Sequence, residues 1–120
     1  GLNHPLLNNF DTSEKWVNVH LAEVTEAPEG STILASSSLC HNHIMQLSKN
    51  AYSCQFHPEV CSHTLEGWMC IPGIPAAIEE LLGKEGLKSF EDDFKMNLVA
   101  NNRASQTLFE NWCSLVFSDD

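Results

Sequence analysis

The stretch AYSCQFHPEV, at residues 51–60, joins a strand pattern to a pair of polar residues. From Tyr52 to Phe56 every second side chain lies on one face, which predicts a strand with a buried side. His57 and Glu59 follow where the strand ends, and residues two apart in extended backbone point the same way. A carboxylate that holds one ring N–H of an imidazole leaves the other nitrogen free as a general base. We therefore predict that this pair lacks only a nucleophile to form a catalytic triad.

Strand patterns also precede this stretch. Residues 16–24 (WVNVHLAEV) alternate along the chain, residues 32–36 (TILAS) form a short buried strand, and residues 44–47 (IMQL) give another candidate. Together with residues 51–56, these segments predict a sheet of about four strands, antiparallel or mixed.

The sequence that follows predicts helices instead. Residues 62–70 begin a short helix, and a second helix starts near Pro75, which suits a first helical turn, and stops at Gly83. A capping-box-like start at Ser89 and an apolar stripe over residues 108–116 predict further helix. The expected fold class is α+β within this chain, with the strands first and two or three helices after them.

Composition and charge limit the classes of partner. The chain of 120 residues carries 16 acidic and 6 basic residues and a net charge of −10. Because Lys and Arg form no cluster, we expect no nucleic-acid partner. No apolar run approaches the roughly 20 residues of a membrane helix, so we expect no membrane partner. The odd count of five cysteines indicates reduced thiols and a cytoplasmic location.

Several short segments keep the order and spacing of a known pattern. They are His20-x-x-x-Val24, Pro28-x-Gly30, Leu34-Ala35-Ser36, Gln55-Phe56-His57-Pro58-Glu59-Val60 and Leu108-Phe109-x-Asn111-Trp112. This joint pattern resembles the class I glutamine amidotransferases, particularly the branch similar to the amidotransferase domain of GMP synthase. In that family a segment of the type H-x-D-x-V-x-x-x-P-x-G-x-x-x-L-A-S precedes the Q-F-H-P-E strand. The resemblance implies that residues 1–120 are a single partial domain, the latter half of a three-layer α/β/α, flavodoxin-like amidotransferase domain.

The resemblance also implies roles for three residues. His57 would activate a cysteine thiol as general base, Glu59 would orient His57, and His20 would take part in binding the substrate. Together with the cysteine, the pair would hydrolyse the side-chain amide of glutamine through a thioester. The ammonia released would be used by a synthetase domain or a partner subunit. No metal or organic cofactor is implied.

Two positions depart from the family's pattern. The family's nucleophile lies in a G-x-C-x-G elbow, and none of the five cysteines has flanking glycines. Ala22 stands where the H-x-D segment has its aspartate. We therefore expect the first third to half of the domain to be missing and this chain alone to lack glutaminase activity. A half-domain would expose a strand edge, from which we expect self-association.

Other interpretations stay open. A histidine beside a glutamate is more often a surface pair than a catalytic one. A non-catalytic remnant, retained as an interaction or scaffold domain, would account for the absent nucleophile. A zinc-binding module would draw on a group of cysteines and histidines, although no C-x-x-C knuckle connects them and zinc needs four ligands around one point. Those residues are Cys40, His41, His43, Cys54, His57, Cys61 and His63.

Overall fold

A computed structural model describes residues 3–118 of the chain, in which a small sheet is followed by helices. The elements are a 3₁₀ turn at Pro5–Leu7, β1 at Thr32–Ala35, β2 at Ile44–Ser48, β3 at Ala51–Cys54, α1 at Thr64–Met69 and α2 at Gly73–Val116. The strands are antiparallel in the order β1-β2-β3. This arrangement confirms the α+β fold class, but the described residues form three strands and not four.

The missing strand is the one predicted at residues 16–24. Its alternation is partly real, because Val17 is buried and Val19 is half-buried while Asn18 and His20 are exposed. The backbone of this segment nevertheless pairs with no strand. Its carbonyl groups accept hydrogen bonds from residue 57 and from side chains elsewhere in the chain. The prediction was wrong because a period of two reports which side chains are buried, and not which groups the backbone bonds to.

The helices differ from the prediction at one boundary. α1 lies within the predicted residues 62–70, and the predicted stop at Gly83 is a break in α2, where the backbone leaves helical geometry at φ 75° and ψ 175°. Glycine adopts this left-handed φ without a steric penalty. The predicted new start at Ser89 was wrong, because helix runs through it without interruption. Apolar and amide side chains at helical spacing continue one inward face from Phe90 to Trp112.

Two hydrophobic clusters form the core, and the stretch after β3 passes from one to the other. Phe56, 3% exposed, belongs to the cluster between the sheet, the N-terminal turn and the end of α2. Val60, 2% exposed, belongs to the cluster between Val17, α1 and the middle of α2. Burial on both sides therefore fixes the short turn that carries His57 and Glu59.

Polar side chains on α2 fasten the irregular segments to the helix. Asn101 donates from Nδ2 to the Lys15 carbonyl at 2.7 Å, and Ser105 Oγ donates to the Pro58 carbonyl at 2.5 Å. Asn111 donates to two carbonyls of the N-terminal turn region. Backbone groups that lack sheet or helix partners are thus satisfied by α2. Neither helix of the described chain has an apolar stretch long enough to cross a bilayer.

Asn101 offers a direct test of this fastening. Its side chain is fully buried, with Nδ2 shared between Lys15 and the Glu14 carboxylate. We expect Asn101→Ala to lower the free energy of unfolding by about 2 kcal/mol, because the Lys15 carbonyl and the Glu14 carboxylate lose their hydrogen-bond donor. Urea denaturation measures the change.

The matched control is Asn102→Ala, one position along the same helix, where the side chain is exposed. The gain in helix propensity is the same in both variants, so the difference between them isolates the buried contacts. We expect the control to change stability by less than about 0.5 kcal/mol. Equal stabilities of the two variants would contradict the assignment of Asn101 as a fastening residue.

Candidate active site

The His57 and Glu59 side chains lie together in the turn that follows β3, which ends at Cys54. Their closest atoms, Nδ1 and Oε1, are 2.7 Å apart. The imidazole is 27% exposed and the carboxylate is 65% exposed, so the pair lies at the surface with the ring partly covered. The predicted side-by-side geometry is therefore present, while the catalytic roles of the two residues stay a prediction.

Packing on each side holds the His57 ring in this position. The Phe56 ring stacks on Trp16 with centroids 4.3 Å apart, which fixes the backbone just before the histidine. The His57 backbone N–H donates to the Val17 carbonyl at 2.9 Å. Trp68 of α1 meets the imidazole edge-on, with centroids 5.1 Å apart. Loop, sheet and α1 together define the orientation of one side chain.

The second ring nitrogen of His57 is also occupied. Nε2 lies 2.8 Å from the carbonyl oxygen of Val19, in the segment that was predicted to be a strand. The expectation that this nitrogen is free to act as a base is therefore wrong for this conformation. The Val19 contact was missed because a backbone carbonyl 38 residues away leaves no mark in the pattern of side chains.

The pKa of His57 reflects opposing effects. Burial alone lowers it, but the hydrogen bond to the Val19 carbonyl and the hydrogen bond and charge of Glu59 outweigh burial. The net result is a pKa above the ordinary value of about 6.5. The structure therefore favours the protonated imidazolium.

His20, the predicted substrate-binding residue, is exposed and separate from this pair. Its Nδ1 lies 2.9 Å from the Ala22 carbonyl, within its own loop. The ring borders an open cleft of about 480 Å³ that is also lined by Ser37, Cys40 and His43. The structure brings His57 and Glu59 together, whereas no hydrogen bond among the described residues joins His20 to either. The role of His20 stays a prediction.

The cysteine thiols do not replace the family's nucleophile within residues 3–118. All five are free, and none has a hydrogen bond to His57 there. Cys54 is the one closest in sequence, but its Sγ faces the Phe56 carbonyl at 3.6 Å. Burial, with a smaller contribution from the Glu59 charge, raises the pKa of Cys54 to about 11. Such a thiol stays protonated at neutral pH and is a poor nucleophile.

The described part of the chain contains no set of ligands for the zinc site considered above. Among residues 3–118, no group of three or more His, Cys, Asp or Glu side chains is arranged to hold a metal ion. His57 has both ring nitrogens engaged, so neither is available as a ligand.

Comparison with known proteins identifies the family. The family model for Glutamine amidotransferase class-I matches residues 2–69, which is more than half of the chain. The chain belongs to this family. The match includes His20, His57 and Glu59 and ends with α1. The whole of α2 therefore lies outside the matched segment.

A curated relative gives a more specific likeness. Over 66 residues the chain is 41% identical to a subunit of the glutamine-hydrolyzing GMP synthase of Methanoculleus marisnigri. The aligned part is 53% of this chain and 35% of the relative, so the chain spans about a third of that protein's length. No solved structure matches the chain.

Three further residues hold the backbone around the candidate site, and sequence reasoning assigned them no such role. Gln55 Oε1 accepts a hydrogen bond from the Val24 N–H at 2.8 Å, and Asn42 donates to the Val24 carbonyl at 2.7 Å. Both contacts hold the end of the loop that reaches His57. Ser105 holds the Pro58 carbonyl between the two candidate catalytic residues. Gln55 stood inside the quoted motif, but nothing in the sequence marked Asn42 or Ser105.

The raised pKa of His57 predicts a pH dependence of stability in this amidotransferase chain. A histidine whose pKa is higher folded than unfolded stabilises the fold fully below the unfolded value, about 6.5, and the contribution is lost as pH rises through the folded pKa. We expect the stability difference between the unmodified chain and His57→Gln to be largest below pH ~6.5 and to shrink above it. Urea denaturation from about pH 5 to about pH 9 measures it.

His63→Gln is the control for this titration. His63 precedes α1, is exposed, and makes no capping hydrogen bond with its side chain. Its substitution measures the effect of replacing an exposed histidine by glutamine in the same chain. If the loss of stability in His57→Gln changes with pH no more than the loss in His63→Gln, the two acceptors do not raise the pKa of His57.

Proposed function

We propose that His57 and Glu59 are the histidine and glutamate of a Cys-His-Glu triad that hydrolyses the side-chain amide of glutamine. The observation that carries this proposal is the 2.7 Å contact between His57 Nδ1 and Glu59 Oε1 in the turn that follows β3. A carboxylate on Nδ1 fixes the tautomer and stabilises the imidazolium that forms when the ring takes a thiol proton. Membership of the amidotransferase family supports the same chemistry.

The nucleophile would come from another stretch of polypeptide. Neither the thiol of Cys54, with its raised pKa, nor any other described cysteine is bonded to the ring. In this proposal residues 1–120 form the latter half of an amidotransferase domain, whose other half carries the cysteine elbow and the oxyanion donors. His20 would approach the bound glutamine from the exposed middle of its loop.

The relative suggests where the ammonia would go. Its name describes one subunit of a GMP synthase that hydrolyses glutamine. By analogy, the complete protein would pass ammonia to a synthetase domain or a partner subunit, using no metal or organic cofactor for the hydrolysis. Free cysteines support the reducing, cytoplasmic location that the sequence predicted.

A glutaminase assay tests the proposal. We expect the purified chain alone to give no turnover, because a base without a nucleophile and oxyanion donors has nothing to activate. In this proposal the nucleophile is supplied by adding the part of the Methanoculleus marisnigri relative that lies outside the aligned segment. The mixture should then release ammonia from glutamine.

Variants decide whether this chain takes part in the turnover. In the mixture, His57→Ala should reduce ammonia release by at least about 100-fold, while His63→Ala should leave it unchanged. Turnover by the chain alone that His57→Ala abolishes would refute the expected inactivity. Turnover in the mixture that survives His57→Ala would refute the role of His57.

A scaffold or interaction role is the second candidate, and the edge of the sheet favours it. β3 has one strand neighbour, β2, in the described chain, so its other edge presents unpaired backbone groups. Beside β3 lies an open, largely apolar cleft of about 560 Å³ that Tyr52 and Phe109 help to line. Phe109 is 61% exposed. Such a surface recruits another chain, and a second copy is the simplest occupant.

Self-association is therefore expected at micromolar or higher concentration. Multi-angle light scattering across a dilution series should show mass increasing with concentration. Phe109→Glu should reduce the association, because it places a charge beside the cleft. Leu82→Glu is the matched control, since Leu82 is equally exposed at 61% and does not line the cleft. A chain that stays monomeric at every concentration would exclude this interface.

A further inference from the structure

The two ring nitrogens of His57 both face acceptors. The Glu59 carboxylate accepts at Nδ1, and the Val19 carbonyl accepts at Nε2. Neither a carboxylate nor a carbonyl oxygen can donate, so a ring that bonds to both must carry a proton on each nitrogen. The imidazole in this arrangement is a cation with no lone pair, and it cannot remove a proton from a thiol.

We propose that the loop at residues 16–24 is an autoinhibitory latch, in which the Val19 carbonyl occupies the position on His57 Nε2 that a nucleophilic thiol would need. This inference rests on the proposed role of His57 as base and adds regulation of that site. The latch opens when the ring gives up the Nε2 proton to solvent. A lone pair then faces the carbonyl oxygen, the hydrogen bond is lost, and the nitrogen becomes available.

The loop is built to hold one carbonyl against the ring. Asn101 holds the carbonyl of Lys15, the residue just before the loop, and Gln55 and Asn42 hold its last residue, Val24. The side chains of Val17 and Val19 pack in the second hydrophobic cluster, which brings their carbonyls to His57.

The middle of the loop is not held in the same way. Residues 20–23 are exposed, and the side chain of Leu21 is 97% exposed. The described loop has no helix or strand, so its backbone hydrogen bonds do not depend on a ladder that must break cooperatively. Because the residues that follow Val19 are exposed, the peptide group between Val19 and His20 can rotate its carbonyl away from the ring while the Val19 side chain stays packed.

Few charged groups act on this contact. Glu59, from the same turn, is the charged residue that acts on His57 among the described residues. Trp68 of α1 and Ser105 of α2 are uncharged, and Cys54 of β3 remains a neutral thiol because burial raises its pKa. The proton on Nε2 therefore depends on the ring, on Glu59 and on the Val19 carbonyl.

Nitrogen NMR of the full chain tests the latch without any enzymatic activity. In a histidine-labelled sample near neutral pH, both nitrogens of His57 should show imidazolium shifts, and the Nε2 proton should exchange slowly. The exchange of ring protons in the exposed histidines is the reference for an imidazole open to solvent. His57→Ala assigns the signal. A neutral His57 with an unprotonated Nε2, or an Nε2 proton that exchanges as fast as those of exposed rings, would overturn the proposal.

A pair of loop variants separates the Val19 contact from the effect of Glu59. Val19→Gly removes the packing that positions the carbonyl, so exchange protection at Nε2 should be lost and the pKa of His57 should fall. Leu21→Ala changes an exposed side chain in the same loop and should alter neither quantity. Unchanged protection in a folded Val19→Gly chain would refute the latch. If that variant does not fold, the spectrum of the unmodified chain decides.

The outcome is independent of the glutaminase assay. Turnover in the reconstituted mixture with a neutral His57 in the chain alone would leave the proposed function standing and remove the latch. If His57 is doubly protonated and exchanges slowly but the mixture shows no turnover, the contact with the Val19 carbonyl is supported and the proposed glutaminase function is refuted.

Discussion

Burial of Phe56 and Val60 on either side of a short turn is the constraint on which the site depends. Each residue enters a different hydrophobic cluster, so the backbone between them must cross from one to the other. Three residues span the crossing, and the two with ionisable side chains, His57 and Glu59, point to the same side. A cavity left by truncating either apolar residue would cost several kcal/mol and would release the turn. The chemistry of the site is thus positioned by packing more than by its own hydrogen bond.

Long-range side-chain bonds stabilise the parts that are neither strand nor helix. The loop before β1 and the turn after β3 carry backbone carbonyls with no ladder partner, and buried carbonyls need donors. Asn101 and Ser105, four residues apart on one face of α2, supply two of them. Since α2 lies entirely outside the segment shared with the family model, the local geometry of this site depends on a helix that the family match does not cover.

Elements with a local cause could be predicted from the sequence. The alternation before His57, the break at Gly83 and the short helix near residue 64 each follow from side-chain periodicity or backbone freedom within a few residues. The segment at 16–24 was misassigned because its alternation comes from packing, while its backbone partners lie elsewhere in the chain. The contact of Ser105 with the turn joins residues 47 apart through a carbonyl, which no side-chain pattern records.

The difference between local side-chain patterns and long-range backbone contacts also explains why only part of the candidate site could be predicted from the sequence. The contact between His57 and Glu59 was predicted from their spacing of two, but it forms in the turn after β3 and not in extended backbone. Whether the imidazole can act as a base depends on what its other nitrogen faces, and here that group is a carbonyl held by residues at 17, 24, 42 and 55. A match to the catalytic motif therefore predicts that the imidazole and the carboxylate lie together, but it does not predict what Nε2 contacts. Its availability to a thiol is decided by the loop that covers it.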